Sequence, residues 1–328
     1  MAANIRWGIL STGNMAGQLA RDLKVARHAE LAAIASRTLE KAEQFAEEHD
    51  VPKAYGDYEA LASDPEIDAV YISTPHVFHK KDTLMCLERG KHVLCEKPFA
   101  INAREVEEMV QAARDADRFL MEAMWMYFFP SIQKTRELIR KGEIGEVRMV
   151  RADFAFRVNV GSKSRLMNPK LGGGALLDIG VYPLALAQIV FGESPESITS
   201  TAHFSETGVD VQSGIVMKYA GGACAVLSCS FESSMPQEAV IAGTEGTIRI
   251  PDEFSHSDAL VLCREGNEKA MTFDRRGIGY YWEAEEAARC IRQGQTESEI
   301  LPHSESLALM RTMDKIRGMW GLTYPGEV

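Results

Sequence analysis

The sequence predicts an α/β chain: an N-terminal doubly wound domain over residues 1–123, then an α+β domain over 124–328 with a large, mostly antiparallel open sheet. Three observations lead there. Short apolar runs alternate with helical patterns through the first domain, as a parallel sheet covered by helices requires. After about residue 125 that rhythm gives way to successive alternating strands punctuated by glycines. The chain is also 328 residues long, beyond the size at which one hydrophobic core usually stops growing.

Taken in order, Ile5–Leu10 is an apolar run that reads as a strand, with a helix behind it to about Val25. Glu30–Ser36 is a second strand. Thr38–His49 has helical spacing, with Leu39, Ala42, Phe45 and Ala46 on one side. Ala69–Ser73, Val93–Cys95 and Phe119–Glu122 supply further strands, and the helix before Val93 ends at Gly90. In the second domain a helix over Ser131–Arg140 leads through Gly142 and Gly145 into an alternating strand, Val147–Phe156. A glycine-rich turn and a helix follow at Gly172–Phe191. Strands are then expected at Ile198–Phe204, Ser213–Tyr219, Ala223–Phe231, Gln237–Ala242 and Thr247–Ile250, with less regular ones after them. Helices near 280–293 and 304–319 close the chain.

Composition narrows the function classes. Hydrophobic residues make up 45% and charged residues 25%, as in ordinary globular proteins. A net charge of −11 argues against a nucleic-acid partner, which needs a basic face. The sequence has no unbroken run of about 18 apolar residues and no basic leader, so no membrane partner is expected. The six cysteines, Cys86, Cys95, Cys224, Cys229, Cys263 and Cys290, form no CxxC pair. They read as reduced thiols of a cytoplasmic protein.

The first chemical motif is Gly8-Ile-Leu-Ser-Thr-Gly13-Asn-Met-Ala16, between the first strand and the first helix. A dinucleotide pyrophosphate needs a tight turn, a close backbone approach and a helix N-terminus. Ser11, Gly13 and Ala16 occupy the three positions of a degraded G-x-G-x-x-G fingerprint, which also fits a glycine turn of another α/β protein. Its βαβ setting favours the cofactor reading, with Ser11, Gly13, Asn14 and Met15 as the candidate contacts. An NAD site usually places an acid at the end of the second strand. Here Ser36 and Arg37 stand in Ala35-Ser36-Arg37-Thr38, and a cation with hydroxyls suits the 2′-phosphate of NADP(H) instead.

Cys95-Glu96-Lys97-Pro98 follows an apolar strand, which sets Lys97 at the carboxyl edge of the sheet, where ligands bind in doubly wound folds. A Lys97-Pro98 bond can adopt the cis form and would then aim Lys97 inward. An ammonium there could bond a reacting hydroxyl and relay its proton; a solvated surface lysine is the plainer alternative. Asp178 and Tyr182 lie four residues apart in Gly172-Gly-Gly-Ala-Leu-Leu-Asp178-Ile-Gly-Val-Tyr182, one face of a predicted helix. That pair could orient and deprotonate a hydroxyl, or serve only the helix start and the core. Thr74-Pro75-His76-Val-Phe-His79 marks another strand-to-helix junction. Two histidines without further ligands make no metal site, so no metal is expected. Thr74, Pro75, His76 and His79, with Glu96, Lys97 and Pro98, complete the candidate cofactor loops.

Together these passages resemble the glucose-fructose oxidoreductase/inositol dehydrogenase (Gfo/Idh/MocA) family along essentially the whole chain. The glycine turn, Glu96-Lys97-Pro98 and the Gly172–Tyr182 block occur in that family's order. Arg6-Trp-Gly-Ile, Leu94–Pro98, Phe119–Trp125, Phe128-Phe-Pro130 and His203–Asp210 are most similar to its subgroup of dimeric dihydrodiol dehydrogenases, also described as NADP-linked D-xylose dehydrogenases.

The resemblance implies a Rossmann domain, NADP(H) held by Arg37, and hydride transfer to or from a sugar, cyclitol or trans-dihydrodiol. It further implies catalysis by Lys97, Asp178 and Tyr182, an apolar substrate wall of Trp125 and Phe154, and a homodimer formed through the C-terminal sheet. Those two aromatics could equally be core. The loop from Arg157 to Lys170 departs from the family pattern and carries Lys163, Arg165 and Lys170. Arg165 is included with the substrate candidates, and the substrate class stays open. A ketosugar reductase of the 1,5-anhydrofructose type and a non-catalytic NADP-binding sensor are the alternatives.

Overall fold

The computed structural model describes residues 4–192 and 194–327. By contacts the chain forms two compact units: residues up to Trp125 together with Arg275–Leu307, and Met126–Asp274 together with the chain from Ala308 onward. Residues 275–307, which the sequence reading placed in the second domain, therefore group with the first unit. The tie is local. Asp22 accepts hydrogen bonds from the backbone N–H groups of Ile278 (2.8 Å), Gly279 (2.7 Å) and Tyr281 (3.2 Å). It thus satisfies donors that the start of a helix leaves open.

The first unit runs β1 (Ile5–Leu10), α1 (Asn14–Leu23), β2 (Ala29–Ala35), α2 (Leu39–His49), β3 (Lys53–Tyr55), α3 (Tyr58–Ser63), β4 (Ala69–Ile72), α4 (His79–Glu88), β5 (His92–Glu96), α5 (Ala103–Asp115) and β6 (Leu120–Ala123). The six strands are ordered β3-β2-β1-β4-β5-β6, and every pairing is parallel. Ile9, Leu10, Val70, Ile72 and Leu94 are fully buried, as expected of strands covered on both faces. The short β3 and α3 escape sequence periodicity because neither completes a repeat. The chain order reverses direction between β1 and β4, which is where doubly wound sheets bind ligands.

The second unit holds α6 (Pro130–Arg140), β7 (Val147–Ala155), α7 (Val181–Phe191), β8 (Ser197–Phe204), β9 (Asp210–Lys218), β10 (Cys224–Ser230), β11 (Ala239–Gly243), β12 (Gly246–Ile250), β13 (Ala259–Arg264) and β14 (Asn267–Thr272). Its eight strands follow the order β14-β13-β12-β11-β7-β10-β9-β8. All neighbours are antiparallel except β7 and β10, so the sheet is mostly antiparallel, as the sequence predicts. Helix α7 packs on β7 and β10 over buried Val150, Ala152, Ala225 and Leu227. The alternate residues Met149, Val216 and Val226 stay 46%, 46% and 42% exposed. Pro169–Phe191 is apolar and long enough to cross a membrane, but most of it is buried as a core helix. The chain ends with α8 (Tyr280–Arg292) and α9 (His303–Trp320).

Candidate functional site

Beyond the carboxyl end of β1 the chain turns through Ser11 at φ +89°, a conformation glycine adopts without cost. The degraded fingerprint therefore keeps a glycine-like backbone at its first position. Gly13 is the opposite case. Its φ is −76°, and an added Cβ would meet nothing closer than the Ser11 Oγ at 3.6 Å. Neither backbone nor packing requires glycine there, and the space beside it is open to a close approach from outside. No side chain caps the start of α1, leaving its first N–H groups free for an anion. Asn14 is exposed and Met15 half-buried on that first turn.

Beside this turn lies a cavity of about 340 Å³ lined by Ser11, Thr12, Ser36, Arg37, Lys41 and Tyr58, among others. Ser36 is buried and Arg37 exposed. Neither Arg37 nor Lys41 has a carboxylate partner among the described residues. Two unpaired cations and several hydroxyls in one concavity suit a dianionic phosphate. Lys41 and Tyr58 escaped the sequence reading. Lys41 lies one helical turn beyond Arg37, a signal that spacing offers only once the helix start is known. Tyr58 comes from α3, which the sequence does not reveal.

The second loop leaves β4. Thr74 is buried and donates to the Asp82 carboxylate at 2.7 Å, and Pro75 precedes a short 3-10 turn over His76–Phe78. His76 is 5% and His79 0% exposed, with their rings edge to face at 5.6 Å. His79 Nδ1 and Nε2 lie 2.9 Å and 2.8 Å from the backbone oxygens of Pro98 and Thr74. A neutral ring donates to one of them and an imidazolium to both. The structure thus sets the His79 ring to bracing two loops, the structural one of the two roles, cofactor loop or structure, that the sequence leaves open for these histidines.

The third loop follows β5. The Lys97-Pro98 bond is cis, and Lys97 is half-buried at the sheet's carboxyl edge. Glu96 points into the core, where it accepts a hydrogen bond from the Tyr71 hydroxyl; burial and that carboxylate hold Tyr71 well above the usual tyrosine range. Trp125 is 8% exposed and stacks on Tyr280 at 4.4 Å between ring centres, so most of its surface is already packed.

In the second unit the Gly172–Tyr182 block is not a plain α-helix. Leu176–Gly180 forms a π-turn that runs into α7. Asp178 and Tyr182, expected on one face of a plain helix, thus span a change of helix type. π-turns inside helices recur at functional sites. Asp210, buried against this turn, accepts from the Leu176 N–H at 2.6 Å, and burial pushes its carboxyl up to about 6. Tyr324 donates to the Gly173 carbonyl at 2.6 Å.

Gly174 has φ +123°, and a Cβ there would lie 2.4 Å from Asp210 Oδ1. Gly174→Ala is expected to destabilise the protein by about 2 kcal/mol or more, from backbone strain plus the clash. An unchanged thermal midpoint would remove that constraint.

Asp178 is 7% exposed and pairs with Arg165 through a 2.9 Å contact. Arg165 belongs to the 157–170 loop, so this divergent segment reaches one of the proposed catalytic side chains. Tyr182, 7% exposed, stacks on Phe154 at 5.0 Å and 16°. Phe154 in turn packs on the cluster of Ala175, Ile179, Cys229 and Phe231. The aromatic wall read from Phe154 is thus partly core, held rigid beneath the phenol.

Comparison with known proteins adds a second line. Residues 5–124 match the model of an oxidoreductase family with an NAD-binding Rossmann fold, and residues 132–249 match the GFO/IDH/MocA C-terminal domain. The chain is 41% identical to a trans-1,2-dihydrobenzene-1,2-diol dehydrogenase of Xenopus tropicalis, covering 98% of this chain and 99% of that one. It is 38% identical to the human protein of that name, with the same coverage. Among solved structures, aldose-aldose oxidoreductase from Caulobacter crescentus aligns with TM-score 0.87 at 25% identity, over 97% of this chain and 98% of its own. A 3-ketoreductase from Actinomadura kijaniata, solved with NADP and TDP-benzene, aligns with TM-score 0.86 at 24% identity over 96% of this chain and 97% of its own; it shows the fold.

Proposed function

The chain belongs to the Gfo/Idh/MocA oxidoreductase family and is an NAD(P)-binding dehydrogenase or reductase acting on CH–OH groups, and we propose that it uses NADP(H) on a trans-dihydrodiol or a sugar. The observation that carries the cofactor choice is the pair Arg37 and Lys41 around the cavity beyond β2. An NAD site would hold a carboxylate at that strand end. Gly13 and the uncapped start of α1 fit the pyrophosphate.

When bound, the nicotinamide supplies the hydride carrier. The chain's own residues handle the proton and the geometry. Tyr182, or Lys97 directly, accepts the hydroxyl proton during oxidation and returns it during reduction. Asp178 orients the hydroxyl, and its ion pair with Arg165 keeps the carboxylate aimed. Stacking on Phe154 limits the rotamers of Tyr182.

The dihydrodiol reading is supported by the names of relatives at 37–41% identity and by the aromatic Phe154–Tyr182 stack. A second reading, an aldose or ketosugar, is favoured by the likeness to the Caulobacter enzyme and by the charged Asp178–Arg165 pair. Nicotinamide absorbance should separate them, with NADP+ and NAD+ offered trans-dihydrodiols, aldoses and cyclitols, and NADPH offered ketosugars and dicarbonyls. NADP-specific turnover on a trans-dihydrodiol is the expected result. Turnover on sugars alone would replace that substrate class, and silence from protein that binds NADPH would favour a sensor.

A homodimer through the exposed face of the second sheet is part of the same reading, supported by exposed Met149, Val216 and Val226. So is a cytoplasmic location, supported by six free thiols.

A further inference from the structure

The turn that carries Lys97 is held on consecutive backbone groups by side chains from neighbouring elements. Glu96 Oε2 accepts from the Lys97 N–H at 3.2 Å. A ring nitrogen of His79 lies 2.9 Å from the Pro98 oxygen. Glu122 on β6 accepts from the Phe99 N–H at 3.0 Å. Of these, Glu122 comes from a strand other than the one that leads into the turn. It is 2% exposed, its Oε2 has no hydrogen-bond partner, and the nearby Ser306 hydroxyl favours its charged form. A carboxylate is an expensive group to bury for one backbone bond.

The groups facing it are Glu96 on β5, Glu283 on α8, Ser306 on α9 and the Lys97 ammonium. Glu283 is itself fully buried, with neither oxygen bonded. The Lys97 charge favours the ionised Glu122 and that of Glu96 opposes it. The contact that ties the acid to the lysine's turn is its bond from the Phe99 N–H.

We propose that Glu122 is a positioning residue for Lys97: it holds the Phe99 N–H, and with Glu96 and His79 it fixes the backbone from which the Lys97 side chain reaches its reacting atom. The proposal rests on the reading of Lys97 as the proton-exchanging lysine. Burial pushes the Glu122 carboxyl up to about 7, so its ionisation falls within the working pH range, and the neutral acid still offers a carbonyl oxygen to Phe99. Holding a catalytic group within a fraction of an ångström matters because a 1 Å misplacement can cost about 10²-fold in rate.

The test compares Glu122→Ala, which removes the acceptor, with Glu122→Gln, which keeps an oxygen at nearly the same place. Glu122→Ala is expected to lower kcat about tenfold with KM and NADPH affinity nearly unchanged, and Glu122→Gln to recover most of that loss. Should the alanine variant melt, Glu122→Met, close in volume and without an acceptor, carries the same comparison. A second readout needs no turnover: the acetylation rate of Lys97 by acetic anhydride, measured by peptide mass spectrometry against exposed Lys163 in the same chain. It should change in the variants without an acceptor and stay close to wild type in Glu122→Gln. Unchanged kcat and unchanged Lys97 labelling in a folded Glu122→Ala overturn the proposal, as do equal losses in alanine and glutamine variants. If the protein turns over no alcohol or carbonyl, the reading of Lys97 fails, while the labelling rates still decide whether Glu122 holds the turn.

Discussion

Lys97→Ala is expected to lower kcat by about 10²- to 10⁴-fold, the range that a positioned acid or base contributes, while NADPH binding changes little. The expectation rests on how much of the structure is committed to one side chain. Glu96 and Glu122 hold the N–H groups of Lys97 and Phe99, and the residue stands at the sheet edge where ligands bind. Cofactor affinity should survive because the anion-binding features lie elsewhere, at Gly13, the start of α1 and the cavity by Arg37. Lys97→Arg should fail as well, since a guanidinium does not release its proton in the working range and its planar fork does not fit an ammonium's place. Single-turnover absorbance at saturating NADPH, beside a fluorescence titration of cofactor, measures both quantities. A folded Lys97→Ala with kcat within threefold of wild type would take Lys97 out of the mechanism.

Arg37→Ala combined with Lys41→Ala should weaken NADPH binding about 100-fold and leave NADH binding within about twofold. Each charge-assisted hydrogen bond to phosphate contributes roughly 1.5–3 kcal/mol. At exposed residues such as these, screening puts the sum near the lower end. NADH lacks the 2′-phosphate, so the loss should be selective. It should also shrink as salt rises, because both cations face solvent. Isothermal titration of wild type and variant with both cofactors, at low and high ionic strength, tests this. Equal losses for NADPH and NADH would mean that the cavity binds some other part of the nucleotide.

Much of the candidate chemistry was legible from local signals. The glycine turn between a strand and a helix, the missing acid after β2 and the lysine after β5 need only sequence order. Each function there depends on neighbours a few residues apart. The strands of the second sheet were equally visible, since a strand with one buried face writes a two-residue period into the chain. Strands β8, β9 and β10 lie within a few residues of their expected bounds.

Other features required distant segments to meet. The start of the π-turn under Asp178 is braced by Asp210 and Tyr324, 32 and 146 residues beyond Asp178, which hold the backbone at Leu176 and Gly173; no periodicity encodes such a brace. The inward turn of His79 depends on carbonyls from two loops, and the return of residues 275–307 to the first unit depends on Asp22 at the opposite end of the chain. Lys41 and Tyr58 joined Arg37 only when α2 and α3 were placed. The sequence by itself determined the fold class, the order of the motifs and the residue types available for chemistry, because those follow from hydrophobic period and turn chemistry. Tertiary structure decided which polar groups face solvent and which are spent inside the protein. Burial makes an unpaired polar group costly, and only packing shows which distant partner satisfies it.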